Sequence, residues 1–192
     1  MITPDSLTLP QSYFSQLGAQ DVLTVVAGHL GLPVVVKPHQ GGSGLGVSYA
    51  STADELRSAM VACFAYDERA LIERYVAGTE LAVSVIDTGE GPRALPPVEV
   101  VTDGQYDFDA RYNPGRSEYF VPARLDEAVI EKVKTTAITV HTTLGLGNLS
   151  RTDLILDSEG TPWFIDVNVI PGMTRPPAAH CRRGRGLLGR PV

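Results

Sequence analysis

The chain is 192 residues long, 43% hydrophobic and 20% charged, with a formal net charge of −6; this suffices for one domain or two small ones with a real core and argues against a nucleic-acid binder that works by charge alone. Its two cysteines, Cys63 and Cys181, belong to no CxxC pair, so no zinc site is suggested, and two cysteines do not make a disulfide framework. No basic segment followed by an apolar stretch opens the chain, and no apolar run approaches the ~20 residues that span a membrane, so a cytoplasmic protein with no membrane partner is expected.

Residues 1–14, "MITPDSLTLPQSYF", are rich in Pro, Ser and Thr and read as an extended lead-in. "LGLPVVVKP" (30–38) is a β-branched run between prolines, a buried strand. "HQGGSGLG" (39–46) is a glycine loop and "VSYA" (47–50) a second strand, which together make a hairpin. A helix follows, because Thr52 and Glu55 form a capping box and Leu56, Ala59, Met60 and Cys63 line one face. "ALIE" (70–73), "ELAVSVID" (80–87) and "PPVEVV" (96–101) are strands, and the mixed polarity of residues 106–120 reads as a long loop. From Asp126 to Leu144, Val129, Val133, Ala137, Val140 and Leu144 recur at helical spacing, with Gly145 as C-terminal cap. Residues 175–192 hold five arginines and no acid, leaving 11 basic and 22 acidic residues in the rest.

Three stretches carry chemistry. Amides of a glycine loop can cradle phosphate oxygens, with Lys37 adding a point charge. The loop is neither a Walker A motif nor a GxGxxG opening a helix, and a plain hairpin tip fits it as well. Glu73 and Glu80 flank a turn in "LIERYVAGTEL"; they are either solvated surface acids or carboxylates for a sugar hydroxyl beside a strand edge that binds a base.

The third stretch is "RTDLILDSEGTPWFIDVN" (151–168), two strands folded on each other. With Ser158 to Thr161 as the loop, Asp157 faces Pro162 and Asp153 faces Asp166. Like charges directly across an antiparallel pair are destabilising. Asn168 shares the Asp166 face, so two carboxylates and an amide converge, a donor set that suits a hard divalent cation such as magnesium. The other reading is a solvated acidic edge in a register slipped by one residue. The histidines lack ligand spacing, and His141 reads as structural or solvated.

These pieces, in this order, resemble the ATP-grasp part of the D-alanine–D-alanine ligase family from about Thr3 to Thr174. The motifs are "LGLPVVVKPHQGGSGLGVS", "LIERYVAGTEL", "DFDARYN", "SRTDLILDSEG" and "DVNVIPGMT". The resemblance implies an α+β ATP-grasp fold in which two subdomains with mainly antiparallel sheets sandwich ATP. Residues 1–73 would be the central subdomain, 74–174 the C-terminal subdomain and 175–192 an atypical Arg-rich tail. It implies Lys37 and Ser43 at the ATP phosphates, Glu73, Arg74 and Val76 at the adenine, and Glu80 at the ribose. Arg111 would stand at the terminal phosphate, where the family has lysine. Asp153, Asp166 and Asn168 would ligate magnesium or manganese, and Arg151 with the Gly172 amide would stabilise an oxyanion.

The implied reaction phosphorylates the carboxylate of one D-alanine, and the amine of a second attacks the acyl phosphate, for peptidoglycan precursors. A ligase for other amino acids, or a non-catalytic ATP-binding remnant, are the alternatives, and a homodimer is left open. Three departures stand out: Asp166 replaces the family's glutamate, Gly44 its second serine, and Pro177 a substrate-binding serine. The family's leading α/β domain is not in this chain, so the expectation is an ATP-grasp core cut at both ends.

Overall fold

The computed structural model describes residues 1–42, 44–102, 117–171 and the backbone of 181–183. Residues 4–76 form one compact unit; residues 1–3, 77–102 and those described from 117 onward form another. Each is a mainly antiparallel sheet with its own helical layer and core, the α+β class expected.

In the first unit, β1 (Ser6–Pro10), β2 (Val34–Pro38), β3 (Ser48–Ala50) and β4 (Arg69–Arg74) lie in the order β1-β4-β2-β3. Period-two alternation sends Val34, Val36, Ala50, Ala70 and Ile72 to one fully buried face. Helices α2 (Ala19–Leu30) and α3 (Ala53–Cys63) cover that face with Val26, Leu30, Leu56 and Cys63. The strand–glycine loop–strand hairpin is present, with Val34 opposite Ala50. So is the capping box: the Thr52 hydroxyl accepts the Glu55 N–H, and the Glu55 carboxylate accepts the Thr52 N–H.

The lead-in is not extended throughout. It forms the strand β1 and then the helix α1 (Gln11–Leu17). Prolines misled here: Pro10 ends an edge strand and caps α1, positions where its missing N–H costs little. Leu7, Leu9 and Phe14 pack against the core. Helix α2 buries Val22, Leu23, Val26 and Leu30 at helical spacing.

The second unit holds β5 (Thr79–Ile86), β6 (Arg93–Ala94), β7 (Val98–Thr102), β8 (Ser117–Val121), α4 (Glu127–Thr143), β9 (Leu149–Leu156), β10 (Pro162–Asn168) and β11 (Cys181–Arg183). The sheet order is β10-β9-β5-β7-β8-β11, with β6 on β5 and β11 parallel to β8. Leu81, Val83, Val85, Leu154 and Leu156 form the core with Val133 and Ala137 of α4. The helix ends as expected at Gly145, with the Leu146 N–H returning to the His141 carbonyl at 3.0 Å. His141 itself is buried, its Nδ1 2.8 Å from the Ser150 hydroxyl.

Residues 117–120, expected in a loop, are strand. Ser117 and Phe120 bury against β7, and buried Glu99 accepts the Arg124 Nε at 3.0 Å while that guanidinium lies 3.6 Å over the Phe120 ring. Residues 106–116 of that expected loop, and the tail apart from β11, lie outside the described residues. Among the described residues no helix is long and apolar enough to cross a membrane.

Candidate functional site

In the first unit the alternation that buries Val34 and Val36 turns Lys37 to the opposite face of β2. Glu73 of β4 emerges on that face, and the Lys37 ammonium lies 2.7 Å from its carboxylate, with side chains 19% and 13% exposed. The glycine loop leaves β2 beside them. Its entrance is tied down by the His39 N–H on the Arg69 carbonyl and the Gln40 N–H on the Asp67 carboxylate. Ser43 lies outside the described residues.

At the end of β4 the Arg74 side chain is used structurally. Its Nε donates to the Leu30 carbonyl at 3.1 Å and its Nη2 pairs with Asp5 at 3.1 Å. The Arg74 and Tyr75 amides donate to the Asp5 and Pro33 carbonyls. The Val76 N–H donates to no backbone carbonyl among the described residues.

In the second unit the site is one face of the sheet. Residues directly opposite in a ladder share a face. Asp153 stands opposite Asp166 on β10 and Ala82 on β5; Arg151 stands opposite Asn168 and Ser84; Ile155 stands opposite Trp163 and Glu80. Arg151, Asp153, Asp166 and Asn168 thus fill two adjacent rungs, with Glu80 one rung away. The intervening Ser150, Thr152, Leu154 and Leu156 are buried on the helix side, which pins the register.

The aspartates pair as expected, but by another path. The turn spans Asp157 to Thr161, so Pro162 faces Leu156, not Asp157. Asp157 is drawn into the turn: it accepts the Glu159 and Thr161 N–H groups and the Trp163 indole N–H at 2.8 Å. A bulge between Phe164 and Asp166 then adds Ile165, and the two offsets cancel.

Positive charge does sit on this face. Arg151 grips Asp153 in a two-pronged pair, Nε to Oδ1 at 2.7 Å and Nη2 to Oδ2 at 2.9 Å, with side chains 26% and 16% exposed. Residues i and i+2 of a strand share a face, so this pair was legible in "RTD". Asp166 is exposed, one oxygen accepting the Val167 N–H at 2.8 Å. The Asn168 Nδ2 is buried with no hydrogen-bond partner among the described residues. Turned over, the amide would present its oxygen there instead.

Asp166 and the Asn168 amide, beside an Asp153 carboxylate whose two oxygens accept from Arg151, are oxygen donors of the kind that suits a hard divalent cation. No three His, Cys, Asp or Glu side chains converge among the described residues. Arg111 and Gly172 lie outside the described residues.

One supporting contact was missed from sequence. Gly78 precedes β5, and a Cβ there would come within 2.2 Å of the Leu156 carbonyl oxygen, so glycine lets the chain pass over the end of β9.

Comparison with known proteins agrees with the fold. The family described as D-ala D-ala ligase C-terminus matches residues 6–179. The D-alanine–D-alanine ligase of Halalkalibacterium halodurans is 42% identical over 144 residues, 74% of this chain and 47% of that protein. Among solved structures, the VanG D-Ala:D-Ser ligase from Enterococcus faecalis superposes with a TM-score of 0.77 at 25% identity, covering 91% of this chain and 49% of that one. A D-alanine–D-alanine ligase from Bacillus anthracis complexed with ATP gives a TM-score of 0.63 at 26% identity, covering 91% of this chain and 50% of that one. The chain spans about half the length of the curated relatives it matches. With a family match over residues 6–179 and this shared ATP-grasp fold, the chain belongs to the D-alanine–D-alanine ligase family, as its C-terminal part.

Proposed function

We propose that this chain is the ATP-grasp part of a D-alanine–D-alanine ligase, joining two D-alanines through an acyl phosphate to supply peptidoglycan precursors in the cytoplasm. The observation that carries this reading is the placement of Arg151, Asp153, Asp166 and Asn168 on two adjacent rungs of one sheet face, with Glu80 next to them. The Bacillus anthracis relative complexed with ATP supports ATP as the co-substrate.

The two units divide the work. Lys37 and Ser43 hold phosphate oxygens, as a point charge and a hydroxyl donor. Arg74 and Val76 offer backbone groups to the adenine beside Glu73, and Glu80 accepts from the ribose. Asp153, Asp166 and Asn168 would hold magnesium or manganese; when bound, the ion supplies positive charge against the phosphate oxygens. Arg111 adds a cation at the terminal phosphate. Arg151 and the Gly172 amide donate to the oxygen that gains charge as the amine attacks, where preorganised donors are worth most. The substrate is a small amino acid; neither nucleic acid nor membrane is a partner.

The likeness to a D-Ala:D-Ser ligase favours a second reading, in which the amine comes from another amino acid. Calorimetry with MgATP followed by phosphate release separates the possibilities. Release that requires D-alanine supports the first reading, and release with D-alanine plus D-serine the second. ATP binding with no release under either condition leaves nucleotide binding alone.

A further inference from the structure

We infer that Asp67 is the positioning residue that sets the shape of the glycine loop for phosphate binding; this rests on the nucleotide-binding reading above. The α3–β4 connection runs beneath both ends of the loop. At the entrance the Gln40 N–H donates to Asp67 Oδ2 at 2.6 Å, while the Arg69 N–H donates to Asp67 Oδ1 at 2.9 Å. The His39 N–H on the Arg69 carbonyl, at 3.0 Å, closes the same junction. At the exit, Gly46 sits at φ +72°. A Cβ there would lie 2.8 Å from the Tyr66 ring and 2.8 Å from the Pro38 ring. Asp67 thus holds the loop at Gln40, and the adjacent Tyr66 ring leaves no room for a side chain at Gly46. Asp67 is itself placed by its N–H on the Cys63 carbonyl at the end of α3.

The two amides hold the Asp67 carboxyl below the ordinary carboxylate range, Arg69 first and Gln40 second, so it is charged at neutral pH. That charge makes the inference sharp. A negative group beside a phosphate-binding loop repels phosphate. If Asp67 acted only through charge, Asp67→Asn would tighten MgATP binding. As a clamp it acts the other way, because an asparagine has one acceptor oxygen where the aspartate has two. Asp67→Asn keeps one backbone bond and Asp67→Ala none.

The test is MgATP affinity by calorimetry for the wild type, Asp67→Asn and Asp67→Ala, with amide hydrogen exchange at Gln40. Affinity falls about threefold to tenfold in Asn and further in Ala, the scale of one or two lost hydrogen bonds. The Gln40 amide, protected in the wild type, exchanges freely in Ala. Unchanged or tighter MgATP binding in Asp67→Asn overturns the inference, as does fast Gln40 exchange in the wild type, a readout that holds even if the variants do not fold. A wild type that binds no MgATP while Gln40 is protected overturns the nucleotide reading, and with it the clamp's function, but leaves the clamp's geometry standing.

Discussion

At the scale of single residues, the centre of the site is the Asp153 carboxylate, which faces Asp166 across the ladder and is held by Arg151 from its own strand. Hydrogen bonds to a charged partner contribute more than neutral ones, so Arg151→Ala should destabilise the fold by about 1–3 kcal/mol, measured by chemical denaturation. It also leaves two like charges opposed. Magnesium chloride should therefore raise the melting temperature of Arg151→Ala more than that of the wild type; an equal rise in both would remove the cation from this pair of rungs. Asp166 carries a second prediction. Its side chain is one carbon shorter than the glutamate of the family, a reach of ~1.5 Å. Asp166→Glu should tighten magnesium-dependent ATP binding, and weaker metal dependence in that variant would take Asp166 out of the ion's shell.

At the scale of elements, the parts written locally were legible. The capping box on α3 needs only Thr52 and Glu55 at the right spacing, and both bonds form. The aspartate pair followed from period-two alternation against an apolar face. Yet the expected turn was one residue too tight, because the Asp157 side chain belongs to the turn and Ile165 is extra. Nothing in the sequence marks the bulge between Phe164 and Asp166. Contacts made across the fold were equally hidden. Glu99 and Arg124 are 25 residues apart, and Gly78 meets the Leu156 carbonyl only once β5 and β9 have paired. Gly78→Ala should therefore cost ~2 kcal/mol or more, since overpacking against a backbone atom cannot relax by a rotamer change. Thr52→Ala should cost ~1 kcal/mol, the loss of one cap. Thermal melts of the two variants check the order, and a Gly78→Ala protein as stable as the wild type would mean that the chain crosses β9 elsewhere.

At the scale of the whole molecule, four carboxylates among the described residues are held below their ordinary range by hydrogen bonds, each at a different junction. The Ser51 hydroxyl and amide hold Glu55 at the start of α3, the Arg69 and Gln40 amides hold Asp67, the Arg124 guanidinium holds Glu99, and the Trp163 indole with the Thr161 amide holds Asp157 in the hairpin turn. A depressed folded value means that protons bind the unfolded chain more readily. The stability these groups contribute is complete above the unfolded carboxylate range of ~4 and is lost as pH falls through the lower folded values. The melting temperature should drop on acidification through that window, and Glu99→Gln should flatten part of the drop while costing about 1–3 kcal/mol at pH 7. The core of residues 4–76 also contains Cys63, fully buried on α3. Burial, with the nearby Asp67 charge, pushes its thiol up to about 11, so almost no thiolate exists at neutral pH. Alkylation at this sulfur must wait for the helix to leave the sheet. Followed peptide by peptide in a mass spectrometer, it times the opening of that unit alone, and adding nucleotide should slow the clock only if ligand binds there.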